Sequence, residues 1–317
     1  MTNADRTFRI GVTGASGYLG SPLVKWLRNE GYDVIPISKN GTGRCVKVDV
    51  RDRTSVDAAL AGSDLIVHLA GLSSVSLCEQ RPTEAFEVNV NGTANIAWTC
   101  RTHEIPMVFA SSVLAVENPG NRPVDSDSPC DPSNIYGLTK CMGEEDVNRL
   151  ADGRFPAAIV RLSNAYGLTS LGAKSGGGDV PGESVIHEFV LQAYRSEALT
   201  IHGDVSDARD FVWLTDVLDA IRQLCSYLLE NTGTGAETFT IGSGETWSIA
   251  EVAELVQEEA ARRLGSRPEM RRVKPPSSGL EPLRIDVDIT RVTAVTGFQP
   301  NYSLPEGIAR MFSLIEG

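Results

Sequence analysis

Two side chains one helical turn apart carry the strongest chemical signal in this 317-residue chain: Tyr136 and Lys140, in Tyr-Gly-Leu-Thr-Lys. They lie in a segment, 134 to 150, whose apolar spacing predicts a helix, and an i, i+4 pair shares one helical face. A phenol with a pKa of ~10 is a poor acid or base at neutral pH, but a neighbouring ammonium favours the phenolate and lowers that value. Upstream, Phe109-Ala110-Ser111-Ser112 closes an apolar run read as a strand. Ser112 there offers a hydroxyl to a substrate oxygen that gains or loses the proton. Each feature alone is ordinary, since paired serines at a strand end commonly cap a turn. In this order, downstream of a glycine motif, Ser112, Tyr136 and Lys140 are expected to form a proton-transfer centre.

The glycine motif is Gly11 to Gly20, GVTGASGYLG, with an apolar run before it and helical periodicity after it. Gly11, Gly14, Gly17 and Gly20 sit where a buried strand turns into a helix. A bend without Cβ atoms lets backbone N–H groups and a helix N-terminus reach a pyrophosphate. Gly11, Gly14, Ser16, Gly17, Tyr18, Leu19 and Gly20 are therefore expected to cradle a dinucleotide. At the end of the next strand, Ser38 and Lys39 stand where an NAD-preferring site carries an acidic residue. Neutral-then-positive chemistry favours NADP(H) over NAD(H), with Arg44 as a second cation. Asp49 and Val50 are placed against the adenine, and Leu69, Ala70 and Gly71 beneath the pyrophosphate. His68 reads as a packed structural histidine.

Positioning these residues requires an alternation of strands and helices. Apolar runs near 8 to 13, 33 to 38, 45 to 48, 64 to 69, 106 to 111 and 157 to 162 alternate with helical patterns. That alternation predicts an α/β fold: a Rossmann-type, doubly wound parallel sheet with ligands at the carboxyl ends of its strands. The dinucleotide-binding domain is expected over 1–165, with later elements near 215–241 returning to it, and a smaller, interleaved C-terminal substrate lobe over most of 166–317. Within that lobe the pattern gives a Gly-rich loop (167 to 182), helices at 184 to 196, 215 to 230 and 249 to 263, strands at 199 to 201 and 238 to 241, and a Pro-rich connector at 275 to 282. A net charge of −12 speaks against nucleic acid, and six scattered cysteines suggest neither a disulfide framework nor a metal site. With no long apolar stretch and a strand starting near residue 8, a cytoplasmic protein without membrane contact is expected.

The motifs TGASGYLG, DLIVHLAG, NVNGT, FASS, YGLTK with Glu144, RLSNAYG, LTIHGD, ARDFVWLTDV and FTIGSGETWSI resemble the extended short-chain dehydrogenases/reductases of the NAD-dependent epimerase/dehydratase family over nearly the whole chain. The resemblance implies catalytic roles for Ser112, Tyr136 and Lys140, with Tyr136 and Lys140 also touching the cofactor, and a supporting role for Asn89. It implies contact of Asn164 and Arg209 with the diphosphate of a nucleotide sugar; an asparagine capping a turn and an arginine paired with Asp207 or Asp210 are the plain alternatives. Ser73 stands near the substrate, where galactose-type epimerases carry lysine. Val113-Leu114 replaces the Asp-Glu pair of 4,6-dehydratases, removing the acid that elimination of water needs. Further likenesses, at Ser38-Lys39, 111 to 118, 172 to 182 and the ending TGFQPNYSL, are to reductases of TDP-4-keto-6-deoxyhexoses. The expectation is an NADPH-dependent 4-ketoreductase of a TDP- or UDP-linked 4-keto-deoxysugar. A 4-epimerase with tightly held NAD is the alternative, and a non-catalytic NADP-binding sensor the second. The family also implies a homodimer built on helices near 83 to 102 and 134 to 150.

Overall fold

The structure, a computed structural model, describes residues 7–116, 122–168, 184–230, 233–273 and 283–316. Glu117 and Asn118, the Pro-rich connector, and all of the glycine-rich stretch except Gly167 and Leu168 lie outside the described residues.

Strands with nearly unbroken apolar runs cannot leave one face in water, so they are expected inside a sheet covered on both sides. The large sheet has seven strands, β1 (Arg9–Thr13), β2 (Asp33–Ser38), β3 (Val46–Lys47), β4 (Leu65–His68), β5 (Met107–Ser112), β6 (Pro156–Leu162) and β10 (Gly235–Ile241), of which β1, β2, β4, β5 and β6 are mostly buried and the short edge strand β3 is exposed. They form one all-parallel sheet in the order β10-β6-β5-β4-β1-β2-β3. On one face pack α1 (Gly20–Asn29) and α8 (Leu214–Glu230), with Leu23, Leu27, Leu218 and Leu224 buried against Val12 and Val160. On the other face lie α2 (Arg53–Leu60), α5 (Gly92–His103) and α6 (Ile135–Ala151), through Leu60, Ile96 and Val147 against Ile66 and Phe109. The helix starts are specified locally. Asp52 accepts from Thr54 and Ser55 N–H groups at the head of α2, and Asn134 accepts from Gly137 N–H at the head of α6.

Between β4 and α5 the chain forms α3 (Val75–Gln80) and α4 (Pro82–Ala85), then a π-helical stretch, Phe86–Asn91. The single helix expected near 83 to 102 is thus interrupted by a wide turn.

The smaller lobe has its own core, with Phe189, Trp213, Val252 and Phe312 among its buried residues. It contains β7 (Asn164–Tyr166), α7 (Val185–Tyr194), β8 (Leu199–His202), β9 (Ala208–Trp213), β11 (Thr246–Ser248), α9 (Ile249–Leu264), β12 (Met270–Val273), β13 (Arg284–Ile285) and α11 (Leu304–Glu316). A small sheet joins β11, β9 and β13, with β7 also on β9, and β12 pairs with β8. The chain passes repeatedly between the two cores. Only Ser163 separates β6 from β7, and β9 runs directly into α8. After β13, α10 (Thr290–Thr296) returns to the large sheet, where Val292 and Phe298 join the core under α8. The pattern reading gives no such return for α10.

Candidate active site

Strand β5 ends at Ser112, whose hydroxyl accepts from Leu114 N–H at 3.2 Å and so holds the 3-10 turn that follows. Burial raises the Tyr136 phenol's pKa, and the Ser112 hydroxyl acts on it in the lowering direction. Helix α6 reaches this close because Gly137 has no side chain; a Cβ there would stand 2.0 Å from the Leu114 carbonyl oxygen. Lys140, 5% exposed, lies one turn further along α6. Its Nζ donates to the Ala110 carbonyl at 2.8 Å and sits 5.9 Å from the centre of the Tyr136 ring.

Burial dominates both members of this pair. It pushes Tyr136 up to about 12, while Lys140 is pulled down to about 8. The sequence expectation that Lys140 lowers the tyrosine's pKa is therefore not met. The ammonium is turned toward β5, and desolvation of the phenolate outweighs the lowering influence of Ser112.

The other expected residues converge on the same edge of the sheet. A Cβ on Gly71 would lie 3.0 Å from Asn89 Oδ1 and 3.5 Å from Lys140 Nζ, so both side chains stand against the segment after β4. Asn89 Oδ1 accepts from Leu72 N–H at 2.7 Å, and its Nδ2 donates to the Leu72 carbonyl (3.0 Å) and to Thr139 Oγ1 (2.9 Å). Gly14, at φ +68°, turns the chain against the Leu69–Ala70 peptide, 2.8 Å from where its Cβ would be. Gly17 and Ser16 are exposed on the bend, and Gly20 packs under the Gly14 carbonyl. Leu19 caps α1 without a side-chain bond, and the first turn holds no acidic residue. Ser21 N–H is taken by the Gly17 carbonyl, and no acidic side chain of the first turn opposes a pyrophosphate at this bend.

Gly11 behaves differently from the other three glycines. It lies inside β1, where a Cβ would meet Leu60 at 2.4 Å, so its role is strand-to-helix packing and not contact with a ligand.

At the end of β2, the Ser38 hydroxyl is buried without a partner among the described residues, as a group awaiting a ligand would be. Lys39 is exposed, with Nζ 3.5 Å from Glu84. Its charge thus meets a carboxylate, which weakens it as a receptor for a second phosphate. Asp49 is taken by Arg51, whose guanidinium holds it below the usual carboxylate range, and Val50 packs against Gly92. Arg44 lies in an exposed turn. His68 is buried between Thr13 and Thr93.

The two residues expected at the diphosphate share the small sheet. Asn164 on β7 donates to the Asp210 carbonyl at 2.9 Å. Arg209 on β9 pairs with neither alternative partner. The Asp207 carboxylate accepts from Leu283 N–H, that of Asp210 from Ser243 and Gly244, and Arg209 Nε is buried with no partner among the described residues. Ser73 is exposed just before Ser74, which caps α3. Tyr18 spans the two lobes, donating to the Gly167 carbonyl at 2.8 Å, an oxygen that His187 Nε2 also meets at 2.9 Å.

One network lay outside the sequence reading. Glu144 and Arg161, both under 5% exposed, form an ion pair at 2.8 Å, and the Ser111 hydroxyl donates to Glu144 at 2.5 Å. This anchors the strand end that presents Ser112. The available signal was Glu144 standing one turn beyond Lys140 on α6, with a charged Arg161 inside an otherwise apolar strand.

Among the described residues, no helix is long and apolar enough to cross a membrane, and no cluster of side chains is suited to a metal. Comparison with known proteins gives a match of residues 10–242 to the NAD dependent epimerase/dehydratase family. A Methanocaldococcus jannaschii protein provisionally named a UDP-glucose 4-epimerase is 33% identical, covering 95% of this chain and 96% of its own. The UDP-glucose 4-epimerase of Mycolicibacterium smegmatis is 29% identical, over 94% and 96%. In fold, the chain matches the Thermus thermophilus UDP-glucose 4-epimerase complex with NAD at a TM-score of 0.80, with 24% identity and coverage of 98% and 99%. The NAD-dependent epimerase/dehydratase family, of extended short-chain dehydrogenase/reductase type, is the one to which this chain belongs.

Proposed function

We propose that the protein is a nucleotide-sugar 4-epimerase that works with NAD(H). The observation that carries this reading is the junction at Gly71, where the proton-handling residues meet the glycine bend. Lys140 and Asn89 both stand against Gly71 in the segment after β4, and Ser112 acts on Tyr136 from the end of β5. The exposed Ser16 and Gly17 on the bend, a first turn of α1 without an acid, and the Ser38 hydroxyl, unpartnered among the described residues, fit a dinucleotide along the same edge. When bound, that dinucleotide supplies the hydride acceptor and donor. Tyr136 takes the proton from the sugar hydroxyl as the carbon is oxidised and returns it on reduction. Ser112 holds the oxygen on which charge changes, and Lys140 places a cation near the phenol when a ligand draws it from Ala110. Arg209 and Asn164 would grip the diphosphate, since the Arg209 guanidinium, its Nε buried without a partner among the described residues, offers planar donors in an acidic protein.

Two points favour epimerisation over net reduction. Relatives that span the chain end to end are named as UDP-glucose 4-epimerases, and Lys39, the feature favouring NADP(H), already faces Glu84. The test is to incubate the protein with UDP-glucose or UDP-galactose and follow interconversion, while the dinucleotide released by denaturation is identified. Interconversion without net cofactor consumption is expected. Consumption of NADPH against a nucleotide-linked 4-keto sugar, with no interconversion, would overturn it and restore the 4-ketoreductase reading, which Ser73 in place of lysine favours.

The dimer expected from the resemblance has a candidate surface. Leu138 and Met142, one turn apart on α6, and Trp98 on α5 are each 38–40% exposed. We place the contact between copies there.

A further inference from the structure

Beneath the glycine bend runs a line of buried hydrogen bonds in which every proton can be assigned. The Thr93 hydroxyl lies 2.6 Å from the Asn89 carbonyl, to which it must donate. A hydroxyl has one hydrogen, so toward His68 Nε2, 3.1 Å away, the Thr93 oxygen accepts and Nε2 carries the proton. In a neutral imidazole, Nδ1 is then bare. Thr13 Oγ1, 2.6 Å from Nδ1, donates to it while accepting from Ala70 N–H at 3.2 Å. Every donor and acceptor in the line is satisfied by this one tautomer.

The line continues to the catalytic helix. Asn89 Nδ2 donates to Thr139 Oγ1, which donates to the Tyr136 carbonyl at 2.8 Å. Asn89 itself sits in the π-helical stretch, where backbone bonds look five residues ahead and not four. The Thr93 side chain, four residues ahead, serves its carbonyl. Facing His68 are Thr13 from β1, Thr93 from α5 and the Phe109 ring from β5, stacked at 5.7 Å; Lys140 of α6 is the charged group acting on it. An imidazolium would add a second buried cation near that ammonium.

We infer that His68 is a positioning residue: held as the neutral Nε2–H tautomer, it ties the root of the glycine bend to the turn bearing Asn89, and so sets the Gly71–Leu72 segment against Lys140. The catalytic consequence rests on the proposed epimerase site; the tautomer does not.

The test uses the full-length protein. With 15N-labelled histidine, the signal that vanishes in His68→Asn, among those of the four histidines, should show a protonated Nε2 and a bare Nδ1, unchanged from pH 5 to 9. Titration of that signal, or a protonated Nδ1 in it, overturns the inference whether or not any sugar is turned over. Kinetically, Thr93→Val removes the acceptor for Nε2–H, and Thr93→Ser retains it. Thr93→Val should lower kcat ~10-fold or more, with the nucleotide-sugar KM within about twofold, as expected when a reacting group is displaced and substrate binding is not. Thr93→Ser should restore the rate. Equal kcat per folded molecule in both variants overturns the positioning role, whereas absence of turnover in the wild type refutes the epimerase reading alone.

Discussion

At the scale of single residues, burial moves the ammonium and the phenol of the proton-transfer pair toward their neutral forms. Lys140 is lowered from 10.5 to about 8. A depressed folded value means stability is full above the unfolded pKa and is lost as pH falls toward the folded one. The ligand-free protein should therefore lose stability between pH 10.5 and 8 through this group and carry the whole penalty at neutral pH. Lys140→Met should flatten that part of the pH profile and raise the melting temperature at pH 7 by ~2 °C or more, while abolishing turnover; calorimetry of both proteins across pH checks it. Tyr136 runs the other way. Raised from 10.0 to about 12, it contributes stability that is present below pH 10 and lost as pH climbs to 12. Tyr136→Phe is expected to reduce turnover by ~10³-fold or more with dinucleotide affinity nearly unchanged, as measured by titration calorimetry beside the assay. The residues of this trio are legible in the sequence from type, order and spacing. Their protonation was not, because it depends on which way a buried lysine turns, and Lys140 finds the Ala110 carbonyl.

At the scale of elements, the glycine bend separates into positions with different tasks. Gly14 and Gly20 are pressed against backbone, while a Cβ on Gly17 would meet only the Gly14 carbonyl oxygen, at 3.1 Å. Gly17→Ala is accordingly expected to leave the melting temperature within ~2 °C yet weaken dinucleotide binding ~10-fold or more, because the methyl group would stand where the pyrophosphate approaches. Gly20→Ala, with its Cβ 2.1 Å from the Gly14 carbonyl oxygen, should destabilise the fold itself. Spacing alone treats the four glycines alike. It could not assign Gly11 to packing under Leu60, since that neighbour is contributed by α2, about fifty residues further along. Strand and helix positions through β6 read well from alternation because buried parallel strands are nearly all apolar. The π-helical stretch left no trace in the periodicity, as one extra residue in a turn shifts the pattern by less than the scatter of a real amphipathic helix.

For the whole molecule, the exposed pair Leu138 and Met142 makes self-association testable. Leu138→Lys combined with Met142→Glu should convert a dimer into a monomer in sedimentation velocity with little loss of helix content, since neither side chain belongs to the core. The pattern of the sequence changes near residue 166, but the return of α10 to the large sheet is not legible in it, because α10 is a short helix whose target, the core beneath α8, is fixed only by the chain's path in three dimensions.

The passage of the chain between the two cores governs how the protein can be made. One edge strand of the large sheet, β10, comes after the first elements of the small lobe in sequence, and α10 is added later still. A nascent chain emerging from a ribosome would thus expose the open hydrogen-bonding edge of β6 until residue 241 has cleared the exit tunnel, an interval in which premature pairing between neighbouring chains competes with correct assembly. A fragment truncated at residue 165 would retain that unfinished border permanently, making aggregation its expected fate.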